Sequence, residues 1–184
     1  MDKQSEKRQL AISALSKRPP DALLAEPLEY IFADHFRQRV LCGALDEMAE
    51  QKRFDREIAG HVLAFMKKDF GIHVLDEEED LFPLLRQRAE ADDEIGEVLT
   101  QLTAEHEADR QDCEAICKLV SQAECAGGKG GELMRRFAAN ERHHLIVENA
   151  IVLPFAKARL TNADLESLGR QMALRRGTAY PEAG

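Results

Sequence analysis

The sequence has 184 residues, 44% hydrophobic and 32% charged, which excludes bulk disorder and fits one compact domain with short appendages. Its 25 basic and 34 acidic residues leave a net charge of −9, so general affinity for phosphate backbones is excluded and no nucleic-acid partner is expected. No apolar run reaches the ~18 residues of a membrane span, the start MDKQSEKRQLAISAL lacks the apolar segment of a signal peptide, and the four cysteines follow no disulfide pattern, so a reducing cytoplasm and no membrane are expected.

Residues 1–20 read as a short helical extension, ended by Pro19-Pro20, with Asp21 opening the next helix. Leu24, Leu28, Ile31, His35, Gln38, Cys42 and Leu45 then recur at steps of three and four, one face of a helix over about residues 21–50. Pro27 is expected to kink its first turns. A second helix, about 55–89, carries Ile58, Val62, Phe65/Met66, His73, Glu77, Leu81 and Leu84, with local irregularity expected around Gly71 and Pro83. A third, about 93–122, carries Ile95, Leu99, Leu102, His106, Asp109, Cys113, Ile116 and Val120. The glycine-rich stretch 126–131 is a linker rather than a phosphate cradle, because the GxxxxGK[ST] pattern and a preceding strand are missing. The fourth helix, about 131–159, carries Leu133, Phe137, Asn140, His144, Glu148, Ile151 and Phe155. Asn162 is expected to cap a short fifth helix with Leu165, Leu168 and Met172, closed by Gly177. The chain therefore reads as all-α: an up-down-up-down four-helix bundle over 21–160, flanked by helical extensions at 1–20 and 161–184.

Each of the four stripes is interrupted near its midpoint by a histidine: His35, His73, His106 and His144, spaced by 38, 33 and 38 residues. Antiparallel helices of similar length bring their midpoints to one level. Four imidazoles there leave up to eight ring nitrogens to satisfy in a dry space, which a metal resolves. Glu77 follows His73 by four and Glu148 follows His144 by four, so each pair addresses one site from one helix face. Four imidazoles and two carboxylates exceed a tetrahedral structural zinc and fit two metal ions with bridging carboxylates, a non-haem iron environment. Ferritin-like bundles need Glu-x-x-His on two helices, and Glu141-x-x-His144 is the one match. The His-Glu-x-x-His, Gly-x-Ser-x-Gly, Walker and dinucleotide motifs are absent.

Asp34-His35-Phe36, the run from His73 through Glu77 to Leu81-Phe82-Pro83, Glu105-His106-Glu107, and His143-His144-x-x-x-Glu148 followed by Leu153-Pro154 resemble a hemerythrin-like (HHE cation-binding) domain over about residues 25–160. The resemblance implies a four-helix bundle with a non-haem di-iron centre. His35 and His73 would serve one iron, His106 and His144 the other, and Glu77 and Glu148 would bridge. Oxygen-carrying hemerythrins have a further histidine four residues after the third-helix one, where this chain has Arg110, and use a longer fourth-helix spacing ending in Asp. That departure moves the expectation from reversible O₂ carriage toward O₂ or NO binding in sensing, buffering or stress protection. A di-iron enzyme of peroxidase, NO-reducing or iron–sulfur-repair type and an iron-responsive regulatory module are the alternatives.

Weaker signals sit nearby. His61 lies roughly 18 Å along its helix from His73, too far to join the centre. His143 reads as a neighbour or interface residue, and Glu78, Glu79 and Asp80 as a solvated face. Cys113 and Cys117 are neighbours one turn apart and read as packing, as do Phe32, Phe36, Phe70 and Leu102.

Overall fold

Each regular element follows from a local signal, and among the described residues every one of them is helical. The computed structural model describes residues 3–50, 54–124 and 127–181. Helix α1 spans Lys3–Ser16, and a 3₁₀ turn at Asp21–Ala25 leads into α2, Pro27–Glu50. The helices α3 (Arg56–Ala64), α4 (Gly71–Leu75) and α5 (Phe82–Arg88) are joined directly by π turns at Phe65–Phe70 and Asp76–Leu81. Then come α6 (Ile95–Ser121) and α7 (Gly128–Val147), which continues through a π turn at Glu148–Val152 into α8 (Leu153–Arg159), and finally α9 (Asn162–Arg176). No helix among the described residues is long and apolar enough to cross a membrane.

Several expected details are corrected. Pro27 does not kink a helix; it starts α2, where its missing N–H costs nothing. The cap of α9 is Thr161, one residue before Asn162: its hydroxyl accepts from Asp164 N while the Asp164 carboxylate accepts from Thr161 N. Gly177 does close α9, at φ +64°. Ala126 lies outside the described residues, as do residues 1–2 and 182–184 of the two extensions. Most of the expected glycine linker is the first turn of α7; Gly127 and Gly128 make the turn at φ +71° and +49°. On the fourth stripe Asn140 and Ile151 are exposed, while Glu141 and Val152 are buried. The π turn after His144 widens the helix and moves the buried face one residue on.

The chain divides into two compact units. One comprises Met1–Arg18, His35–Phe70 and Glu107–His143. In it α1 packs on α3, with Arg8 donating to Asp55 at 2.8 Å and pairing with Glu57, while Asp55 itself caps α3. Buried Arg37 donates to the Ala14 carbonyl at 2.8 Å and to Asp69 at 2.5 Å, its guanidinium over the Phe65 ring. Phe70 meets Phe137 with ring centroids 5.8 Å apart.

The other unit comprises Pro19–Asp34, Gly71–His106 and His144–Gly184. Its core gathers Leu24, Tyr30, Ile31, Leu81, Leu85, Leu99, Leu102, Ala156, Leu168 and Met172. Each fully buried leucine or isoleucine there contributes roughly 1.5–3 kcal/mol. Helix α9 lies close against the 3₁₀ turn: a Cβ on Gly169 would sit 2.2 Å from the Leu24 carbonyl oxygen. Arg88 grips Asp164 through two hydrogen bonds of 2.9 and 3.0 Å, and the Thr178 hydroxyl donates to Asp21.

Candidate metal centre

Five of the six ligand residues expected from the sequence belong to the second unit. His73 stands on α4, and Glu77 on the π turn that follows it. His106 comes from α6, His144 from α7, and Glu148 opens the π turn between α7 and α8. All five are buried, none more than 3% exposed. The two π turns share a sequence logic: Pro83 and Pro154 each lie six residues past a glutamate. A proline lacks the N–H for the i→i−4 bond, and its ring clashes with that carbonyl. A widened turn just before it relieves both problems, and in each case the widened turn carries the glutamate.

Glu77 sits between two imidazoles. One carboxylate oxygen is 3.2 Å from His73 Nε2 and the other 3.3 Å from His106 Nε2. His106 Nε2 is 3.1 Å from His144 Nε2, which is 3.1 Å from a Glu148 oxygen. One ligand atom from each of Glu77, His106, His144 and Glu148 lies within 4.8 Å of the other three. The opposite ring nitrogens have carboxylate partners: Glu78 lies 3.0 Å from His106 Nδ1, and Glu105 lies 2.8 Å from His144 Nδ1. A carboxylate only accepts, so each Nδ1 is the donor to it, and a neutral ring is then left with its lone pair on Nε2. Two such lone pairs facing each other at 3.1 Å, between two carboxylates, require a proton or a cation between them. The donor set therefore fits a metal.

The metal-free centre is also a proton trap. Burial opposes charge on His73, yet Glu77 and Asp34 outweigh it and hold its pKa well above the usual 6.5. Burial likewise opposes charge on His106, but Glu77 outweighs it and the pKa is raised. His73 Nδ1 faces Asp34 at 3.7 Å.

His35 belongs to the first unit, on α2 directly after Asp34, and is fully buried. His61 is half-buried and His143 is exposed. Arg110 turns outward to pair with Glu107 at 3.0 Å. Phe32 and Phe36, expected as packing, are instead 48% and 45% exposed, whereas Phe70 and Leu102 are buried. Phe82, named from the sequence only within the Leu81-Phe82-Pro83 phrase, stacks on the His106 ring at 5.9 Å and nearly parallel. Glu78 and Glu105 were likewise missed in these roles, although each adjoins a ligand in sequence.

The family model of the hemerythrin HHE cation-binding domain matches residues 26–156. No curated protein matches the chain.

Proposed function

The chain belongs to the hemerythrin HHE cation-binding domain family, and from that premise we propose that it holds two non-haem iron ions and binds O₂ or NO in sensing, buffering or stress protection. The observation that carries this reading is Glu77, whose two oxygens each face a different buried imidazole at 3.2 and 3.3 Å. A carboxylate so placed would be available to ions on both sides.

His106 and His144, with Glu77 and Glu148, would hold one ion. His73 would hold the other, and His35, the remaining histidine of the sequence pattern, is proposed to join it. The ions would supply redox chemistry and open coordination positions for a diatomic ligand. The protein's own part is orientation and dryness. Glu78 and Glu105 fix the two imidazoles with Nε2 inward, and Phe82 covers one ring face. Arg110, one turn past His106, is paired with Glu107, and a guanidinium has no lone pair to give. The ion held by His106 and His144 would thus be left a position for water or an exogenous ligand.

That open position serves ligand binding and turnover alike. Stopped-flow mixing of the reduced, iron-loaded protein with O₂, NO and H₂O₂ separates them. A reversible adduct supports the binding reading, multiple turnovers of peroxide or NO would replace it with an enzyme, and no reaction with any of the three would contradict both.

A further inference from the structure

The His73 side of the centre is backed by α9, which lies beyond the family-matched residues. Arg176, buried at 4% side-chain exposure, donates through Nη2 to Asp76 at 2.5 Å and through Nη1 to the other Asp76 oxygen at 3.1 Å. Its Nε donates to the Tyr30 hydroxyl at 3.0 Å, and its guanidinium lies over the Tyr30 ring. The same Nη2 lies 3.8 Å from Asp34 Oδ2, the oxygen that faces His73 Nδ1 at 3.7 Å. Arg175 adds a second grip, donating to Asp76 at 2.5 Å, Asp80 at 2.7 Å and Glu79 at 3.2 Å. Those three acids belong to the π turn that carries Glu77.

The arrangement is costly without a purpose. Asp76 is fully buried, and removing its arginine partners would leave an uncompensated charge in the interior. Burial pushes the Asp76 carboxyl upward, and the two arginines pull against that. Gly169 lets α9 approach the Leu24 carbonyl where a Cβ would not fit.

We propose that Arg176 and Arg175 are positioning residues for the cation centre: α9 holds Asp34 behind His73 and pins the π turn that aims Glu77, so docking of this C-terminal helix sets how tightly the His73 side binds its ion. One electrostatic path runs from the Arg176 guanidinium to Asp34 at 3.8 Å and on to His73 Nδ1 at 3.7 Å, which would leave Nε2 for an ion, and a second runs through hydrogen bonds from both guanidiniums to Asp76, the backbone neighbour of Glu77. This inference rests on the cation-binding reading above. It adds that a helix beyond the family-matched residues tunes the site.

The test is an anaerobic titration of full-length protein with ferrous iron, alongside the melting temperature of the metal-free form. Arg176→Gln should weaken one ferrous site by about 10–100-fold, the usual cost of losing an outer partner of a ligand, and leave the other site unchanged. Arg176→Lys, which keeps the charge but not the fork, should recover part of the loss. A purely structural role would lower the metal-free melting temperature with both affinities unchanged, and that result overturns the proposal. So would equal weakening of both sites. If Arg176→Gln does not fold, Arg175→Gln carries the test: a several-fold loss at one site supports the proposal, and unchanged binding overturns it. Wild-type protein that takes up no ferrous iron would instead overturn the cation reading itself.

Discussion

The two sides of the centre are backed in opposite ways. Behind His106 and His144 stand Glu78 and Glu105, whose side chains remain 19% and 31% exposed. Behind His73 stands Asp34, 5% exposed and itself beside a buried arginine. One side reaches solvent through a single layer of carboxylates; the other is sealed by a helix. An outer partner in water loses part of its hold on an imidazole to screening, whereas a buried one keeps it. On the proposed reading the sealed side would be the anchor, and the side whose outer partners reach solvent would be the one suited to exchange water or ligand.

The comparison breaks most completely at Glu77, which touches both sides. Glu77→Ala should reduce ion binding on both at once, by more than the ~100-fold upper range of an outer-partner loss. Metal analysis after purification from iron-supplemented cells checks this. Retention of both ions would contradict the bridging role.

A second test sharpens the comparison through pH. The raised pKa values of His73 and His106 belong to the metal-free chain. A group whose folded pKa exceeds its ordinary value of about 6.5 stabilises the fold below that value and loses the contribution as pH rises through the folded one. The melting temperature of metal-free protein should thus fall as pH climbs above about 6.5. Iron affinity should rise over the same range, because binding must displace those protons. Parallel trends in the two quantities would contradict the account.

Smaller effects distinguish the outer partners. Glu105→Gln removes a half-buried partner of His144, and Asp34→Asn a sealed one of His73. The first should weaken binding by about tenfold, near the lower end for such partners, and the second by more. Calorimetric titration with ferrous iron ranks them, and the reverse order would contradict the anchor assignment. The smallest effect is expected outside the centre. His143→Ala should leave ion content unchanged and stability within about 0.5 kcal/mol, as for an exposed residue.

Much of this was legible in the sequence, for physical reasons. The steps of three and four that placed His35, His73, His106 and His144 on buried faces hold, because helical periodicity reports burial directly. The fourth stripe was off by one residue already at Asn140, where Glu141 is the buried neighbour, and past Glu148 the π turn places burial at Val152 rather than Ile151. The repeated interval from Glu77 to Pro83 and from Glu148 to Pro154 was the available clue. Phe32 and Phe36 were misread because aromatic character near a histidine says nothing of which face it occupies. Arg175 and Arg176 could not be found at all. They meet Asp76 across about a hundred residues of chain, and no local pattern encodes such a pair.

The central claim is that six buried residues hold two iron ions, and counting bound ions addresses it most directly. Metal-free protein titrated anaerobically with ferrous iron should saturate at about two ions per chain. His35→Ala and His73→Ala should each remove the same one of them, and His106→Ala and His144→Ala the other. A single tightly held zinc with no uptake of iron, or a stoichiometry of one that all four substitutions abolish alike, would contradict the account.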